Sequence, residues 1–383
     1  MKKILALLLA ALLIFSLVAC SKDNQEAEGE ETEPITANDN VISTTAGTFK
    51  YGITEEGEYE ITAYEPDPAA VVSIISLELP KTTPDGREIT GIAAEAFNAK
   101  NSISSVTIPE TYKHIGAYAF RDCDALTTVV MTDSVVSIGE GAFQECNLLA
   151  SVTMSKSVSV ISTRAFMNCP LLTAIDLSGA TKVIGDGAFA YCPELVSVTL
   201  SDSIESVKKS AFLESPKVTY TVENGGKYLG NTANPHLVLV SAQTLNIAEC
   251  TVNANTKVIA DGALANCEYL EKVTLGAAVK FVNATCFENS PYIVYTEYEN
   301  ARYLGTADNP HMVILSVIIP SCETLALHAD VKIITADAFT NCDDLTNINY
   351  PKTTADWDAV IKAEGWSGDK EIAVYKAGDT AAQ

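Results

Sequence analysis

Apolar positions along this chain recur with one fixed spacing, not with the 3.6-residue period of a helix. Phenylalanine returns at Phe97, Phe120, Phe143, Phe166, Phe189 and Phe212, each 23 residues after the last. Around each Phe the same string is rewritten: Leu126-x-x-Val129-x-Met131, then Ile138-Gly139, then Ala142-Phe143-x-x-Cys146, then Leu149, which opens the next copy. A period in the twenties with apolar residues at fixed offsets predicts a solenoid with one coil per repeat. So short a unit cannot bury its apolar face alone, and neighbouring coils must stack into a shared core. The alternation Val106-Thr107-Ile108 predicts a short strand, and stacking lays such strands into a parallel sheet. On the return side, Ile115-Gly116 predicts a tight turn. The small Ala119 and large Phe120 predict one helical turn or a second short strand, packed inward.

The residues that open each coil fix the register. Ile103, Leu126, Leu149, Leu172, Leu195 and Val218 are 23 apart; Ile247 comes 29 later, Leu270 and Ile293 follow at 23, Cys322 at 29 and Leu345 at 23. Both long steps contain nearly the same text: Tyr228-Leu229-Gly230 with Asn234-Pro235-His236, and Tyr303-Leu304-Gly305 with Asn309-Pro310-His311. The copies lie 75 residues apart, as do Phe212 and Phe287, so a whole block including its insert is duplicated. Gly-centred and Asn-Pro turns between apolar runs predict small hairpins replacing the Ala-Phe half of the coil. They are expected to project from the solenoid's side, with Tyr228, Asn234, His236, Tyr303, Asn309 and His311 at their tips.

The flanks divide the rest of the chain. Residues 1–19 read as a lipoprotein signal peptide: Lys2 and Lys3, an apolar run from Ile4 to Val18, and the ending Leu17-Val18-Ala19-Cys20. The run is short for a spanning helix, and its small end residues fit cleavage. That ending resembles the bacterial lipobox, which implies lipidation at Cys20. Residues 20–40 are acidic and lack apolar periodicity, the composition of a disordered tether. Residues 41–80 alternate with period two around Glu55-Glu56-Gly57-Glu58, predicting a β-hairpin cap on the open end of the solenoid, which spans 81–350. In 351–383, Thr353 to Lys362 predicts a helical cap with Trp357, Val360 and Ile361 on one face, followed by a tail. The expected fold is thus a leucine-rich-type solenoid, α/β to mostly β.

Charge narrows the partners. With 25 basic and 49 acidic residues the formal charge is -24, and both nucleic acid and an anionic bilayer need clustered Lys and Arg. Neither is expected as an electrostatic partner. No G-x-S-x-G, phosphate-cradling glycine loop or H-E-x-x-H occurs, so no catalytic residue and no cofactor is predicted. Cys123, Cys146, Cys169, Cys192, Cys267 and Cys342 all take the Phe-x-x-Cys place, with Ser215 and Ser290 there in two other coils. One cysteine per coil spreads them along a line, whereas metal ligands converge, so buried free thiols and no metal are expected. Cys250, Cys286 and Cys322 stand where other coils have apolar residues. His236 and His311 lack an acidic or Cys partner at ligand spacing and read as duplicated turn residues, while His114 and His328 read as isolated. The outward strand positions Thr107, Val130, Thr153, Asp176, Thr199, Thr251, Thr274, Ala326 and Asn349 form a flat stripe. Thr is a good strand former, so the stripe needs no ligand; its functional reading is a broad binding surface carried by Thr107, Thr153, Asp176, Thr199 and Thr274.

These residues resemble the bacterial BspA-type leucine-rich repeat family, whose repeats read L-x-x-V-x-I-P-x-x-V-x-x-I-G-x-x-A-F-x-x-C-x-x-L. Ile103 to Pro109 followed by Ala119-Phe120-Arg121-Asp122-Cys123 matches it, and the likeness runs from about Val41 to Tyr375. Lys100, Ser215 and Ser290 depart at the Cys position, Leu264 departs at Phe, and most later coils lack the Pro109 equivalent. The resemblance implies a non-catalytic, extracytoplasmic lipoprotein, held to the bacterial membrane through Cys20 and displayed on the cell surface. Its implied partners are extracellular proteins, matrix or host receptor; a glycan-capturing lipoprotein or an envelope scaffold is the alternative.

Overall fold

The computed structural model describes residues 40–68, 75–283, 285–336, 338–340, 342–363, 365–367 and 370–377. The expected signal peptide, Cys20 and nearly all of the tether lie outside these residues, as does the end of the tail. Asn40 onward forms one compact unit.

Each coil contributes hydrogen bonds to its neighbours in three columns. The front column holds the Val-x-Ile strands: Ile103–Ile108, Thr128–Met131 and Ser151–Thr153 pair in parallel with a constant offset of one coil. The return column holds two-residue strands at the Ile-Gly position, His114–Ile115, Ser137–Ile138, Val160–Ile161, Val183–Ile184 and Ser206–Val207, which end a nine-stranded sheet. The short strand of the return side thus lies at the Ile-Gly position, where a tight turn is expected, and not at Ala-Phe.

The Ala-Phe segment is a turn that still pairs coil to coil. Tyr118 N–H donates to Glu140 O at 2.7 Å, Phe120 to Ala142 at 2.7 Å and Asp122 to Gln144 at 3.0 Å. Tyr118 and Asp122, on either side of Phe120, take φ of 56° and 57°. Left-handed backbone costs a non-glycine residue about 1–2 kcal/mol, and the forward bonds from the same residues offset it. This geometry points the Phe inward. Gly116 is required for a different reason: a Cβ there would sit 2.6 Å from the Ala93 carbonyl carbon of the preceding coil.

Phe97 to Phe212 consequently stack as one column, with ring centroids 4.8, 5.4, 5.1, 5.4 and 5.8 Å apart and planes within 10° of parallel. That spacing follows the strand separation of about 4.8 Å. At the N-terminal end the strands Val41–Thr44, Gly47–Ile53 and Tyr59–Pro66 run antiparallel and head the return sheet. Phe49 and Tyr64 from these strands lie against Phe97, at 6.3 and 5.5 Å. At the other end Trp366 lies edge-on to Phe339 and Trp357. Trp357 belongs to the helix Thr354–Ala359, whose first turn is closed by a reciprocal pair: Asp356 N–H donates to the Thr353 hydroxyl, and Thr353 N–H to the Asp356 carboxylate.

The two inserts are hairpins, but they do not project. In the first, Thr221–Glu223 pairs antiparallel with Gly226–Leu229, which pairs antiparallel with Val238–Ala242; that strand then runs parallel to Val258–Ile259 in the return column. The second repeats this with Thr296–Tyr298, Ala301–Leu304, Val313–Val317 and Ile333–Ile334. Tyr228, Leu237, Val238 and Leu239 are all 0% exposed, so the insert fills the interior that a Phe coil would otherwise fill. So much apolar surface is more stable buried than held out in solvent, by about 25 cal/mol per Å².

The first insert interrupts the return column, leaving Ser206–Val207 as a sheet edge. Asn283 covers it: its Oδ1 accepts from Val207 N–H at 3.1 Å and from the Ser206 hydroxyl at 3.0 Å, while its Nδ2 donates to Glu205 O at 3.3 Å. Asp261 N–H donates to Val207 O at 2.9 Å. One amide side chain thus imitates a strand, satisfying groups that an open edge would expose.

Candidate functional site

The front sheet places the outward stripe in register. Thr107 pairs with Val130 and Val130 with Thr153; Asp176 pairs with Thr199, Thr251 with Thr274, and Ala326 with Asn349. Inward neighbours such as Val106, Ile108, Val129 and Ile175 are buried, which forces the alternate residues out. Thr107, Thr153 and Asp176 are exposed; Thr199 and Thr274 are half-buried. A second outward row lies two residues earlier, with Ser105 beside Thr128 and Thr128 beside Ser151. Upstream of the inserts the face is therefore mostly hydroxyl-bearing.

The cysteine ladder is core. Cys123, Cys146, Cys169 and Cys192 are 0% exposed and unpaired, and each thiol donates to the carbonyl of the Phe 26 residues earlier, at 3.1 to 3.2 Å. Desolvation pushes the Cys123 thiol up to about 12 and Cys192 to about 11, and holds Cys146 and Cys169 well above the ordinary thiol value. Thiols held neutral in this way are poor nucleophiles. Ser215 explains the exchange of Cys for Ser: its hydroxyl donates to Phe189 O at 2.8 Å and also accepts from Cys192 N–H at 3.0 Å. Ser290 repeats both bonds, to Leu264 O and from Cys267 N–H.

The insert residues sort differently from the expectation. Tyr228 and Tyr303 are fully buried beneath the inserts and are not tips. Asn234 and Asn309 do sit in the turns, where each ties two coils together. Asn234 Oδ1 accepts from His236 N–H at 3.1 Å while Nδ2 donates to Asn255 O at 2.9 Å; Asn309 does the same for His311 and Asp330. Gly230 and Gly305 are needed because a Cβ at either would run into the facing Asn carbonyl.

Neither insert histidine is alone. His236 Nε2 lies 2.8 Å from Glu223 Oε2, which also accepts from Asn253 Nδ2 at 2.8 Å, and the His236 ring meets Tyr228 edge-on at 5.2 Å. The antiparallel hairpin brings Glu223 beside His236, a closeness invisible to spacing rules. In the second copy Tyr298 replaces Glu223 and His328 replaces Asn253. His311 stacks on His328 at 3.8 Å and 14°, with Tyr298 edge-on to His328 at 4.9 Å and Tyr303 edge-on to His311 at 5.4 Å. His328 Nδ1 accepts from Asp330 N–H at 3.1 Å, the role Asn253 Oδ1 plays for Asn255. His328 is thus not isolated. Burial and the neighbouring His328 ring push the His311 pKa below the ordinary imidazole value, with Asp330 opposing them. The 75-residue offset in the sequence is the signal that would have paired Glu223 with Tyr298 and Asn253 with His328. Among the described residues no group of three or more His, Cys, Asp or Glu side chains is placed to hold a metal ion.

Stacked short parallel strands, an inward Phe-Cys column and a flat outward face together define a leucine-rich repeat solenoid. The pattern described as BspA type Leucine rich repeat region matches in six copies over residues 90–219, 242–306 and 319–359, more than half of the chain, and the chain belongs to that family. The unmatched stretches 220–241 and 307–318 fall within the two inserts. Among solved structures, a leucine rich cell surface protein from Faecalibacterium prausnitzii is 22% identical, with a TM-score of 0.42 over 84% of this chain and 97% of that one. A leucine rich repeat protein from T. pallidum is 24% identical, with a TM-score of 0.43 over 58% and 87%. One from Bacteroides ovatus is 17% identical, with a TM-score of 0.37 over 86% and 98%. A search of curated proteins finds no match.

Proposed function

We propose that this chain is a non-catalytic lipoprotein, anchored through Cys20 and displayed on the outside of the cell, whose front sheet binds an extracellular protein. Leucine-rich repeat proteins of this surface type act as protein-binding scaffolds, and among the described residues no helix is long and apolar enough to cross a membrane. The observation that carries the reading is the outward row of the front sheet. Its hydroxyl-rich side chains stand in register on a rigid, close-packed core, so a partner meets a flat surface that loses little entropy on binding.

Adhesion to matrix or host-receptor protein is the specific form proposed. Surface plasmon resonance of the purified chain against immobilised matrix proteins tests it, with a Thr107→Glu/Thr153→Glu/Thr199→Glu variant beside the wild type. The reading expects saturable binding to at least one protein, lost in the variant while its thermal unfolding is unchanged. Absence of wild-type binding, or a variant that binds equally well, contradicts it. Metabolic labelling with a fatty-acid probe tests the anchor: the label should be incorporated by the wild type and be absent from Cys20→Ala.

A further inference from the structure

The duplication has converted one salt bridge into a pair of like charges. In the return column, Lys182 and Glu205 stand on adjacent rungs and pair at 3.0 Å. Seventy-five residues on, the same two places hold Lys257 and Lys280, whose rungs are joined by the bond from Lys280 N–H to Lys257 O at 2.8 Å. Asp202 likewise becomes Ala277, so Lys257 has an acid 3.9 Å away, and its own copy, Lys332, faces an alanine in that place. Neither Lys280 nor Lys332 has an ion pair or a side-chain hydrogen bond among the described residues.

These changes meet in a cleft of about 450 Å³ between the downstream coils and the C-terminal helix. Lys257, Lys280, Lys332 and Lys352 line it together with the aliphatic Ala277, Ala278, Val279, Ala359 and Val360. The volume is that of a small-molecule site. Asp356 also reaches the cleft, but its carboxylate is engaged by the Thr353 backbone N–H at 3.1 Å and hydroxyl at 2.6 Å. Counting the bound acids Asp202 and Asp330, which hold Lys257 and Lys352, four cations face three carboxylates, in a chain whose formal charge is -24. The net excess is one positive charge, and the two lysines without an acid partner are Lys280 and Lys332, both exposed. Like charges on neighbouring rungs, as Lys257 and Lys280 are, destabilise a sheet, and an anion seated among these lysines reverses the sign of that interaction.

We infer that this cleft is a binding site for an acidic sugar, a pyranose bearing a carboxylate or sulfate. The anionic group would sit between Lys280 and Lys332. The C–H face of the ring would lie on the alanine and valine wall. A bare anion would leave that wall wet, and a neutral sugar would leave the two ammonium groups unanswered.

Calorimetric titration of the purified chain tests this with a hyaluronan tetrasaccharide, glucuronate, a sulfated heparin disaccharide, inorganic sulfate and maltotriose as probes. At least one acidic sugar is expected to bind saturably with Kd below about 1 mM, with affinity that falls as salt rises. The double variant Ala277→Asp/Lys280→Glu restores the residues of the first copy and should weaken binding by about tenfold or more, the effect of losing roughly 1.4 kcal/mol. A Lys156→Glu variant, on an upstream coil, should bind as the wild type does. Preference for the tetrasaccharide over glucuronate would identify a polymer-borne unit, and the reverse a free sugar acid; both support the site. Binding of inorganic sulfate or maltotriose as tight as that of every acidic sugar, an unchanged Kd in the double variant, or no saturable binding overturns it. Circular dichroism melting of each variant separates loss of the site from loss of the fold.

Discussion

In the first long coil His236 faces the Glu223 carboxylate, which Asn253 also holds; in the second, His311 lies flat against His328 with two tyrosines at the edges. The frame beneath is the same. Tyr228 and Tyr303 are buried alike, both hairpins shift register at the same point, and Ser215 and Ser290 make identical bonds. What has diverged after duplication is the polar shell: Glu223 to Tyr298, Asn253 to His328, Asp202 to Ala277, Glu205 to Lys280. Core positions in a close-packed interior tolerate little change of volume, whereas half-exposed polar positions can be exchanged without disturbing the fold. Two copies of one block thereby present different chemistry on the same scaffold.

Equivalence of the frames is the first thing to break. Tyr228→Ala and Tyr303→Ala each remove a fully buried aromatic ring and should each cost about 3–5 kcal/mol, the range for large aromatic to alanine changes in cores. Chemical denaturation measures both, and values differing by more than twofold would show that the frames are not equivalent. Next in size are Ser215→Ala and Ser290→Ala. Each leaves a buried carbonyl and a buried N–H without a partner, at about 1–3 kcal/mol. Ser215→Cys should recover only part of this, because a thiol replaces the donation weakly and the acceptance hardly at all. The smallest effect concerns the hairpin turns. The first uses Asn224-Gly225 and the second Glu299-Asn300, with Glu299 at φ 50°. Glu299→Gly should stabilise the second hairpin by about 0.5–1 kcal/mol, whereas Asn224→Gly should change little, since Asn tolerates this backbone.

Much of the frame was legible from the chain, and the reason is its periodicity. A spacing of 23 residues fixed the coils, the Phe column, the Cys column beside it and the outward stripe, because each depends only on which residue recurs at which offset. The burial of the inserts was not legible. Asn-Pro and Gly turns signal a hairpin, but only the apolar content of Leu237 to Leu239 hints that it lies inside. Contacts across the interruption were hidden altogether: Asn283 reaches Val207, 76 residues earlier, and Glu223 reaches His236 through a hairpin whose register no spacing rule supplies. The lysine cleft was hidden for the same reason, since it joins return-column residues of three coils to the C-terminal helix.

Divergence of the polar shells predicts that acid weakens the second copy selectively. Because burial and His328 depress the pKa of His311, the unfolded chain takes up a proton there that the folded chain does not, and stability falls as pH drops below about 6.5. Protonating His311 also sets it against the His328 ring stacked on it, with Asp330, shared with Lys352, opposing the charge. In the first copy Asn253 stands in place of that stacked ring, and His236 Nε2 instead lies 2.8 Å from the Glu223 carboxylate. His114 is likewise depressed by burial, so a global melting curve would mix its contribution with that of His311. Hydrogen exchange read separately over Thr221–Ala242 and Thr296–Val317 at pH 7.5 and pH 5, corrected for the intrinsic rate, resolves them. The expected result is loss of protection confined to the second segment, abolished in a Tyr298→Glu/His328→Asn variant that carries the first copy's residues. Equal loss in both segments, or acid sensitivity that survives in that variant, would contradict the account of a shared frame with divergent shells.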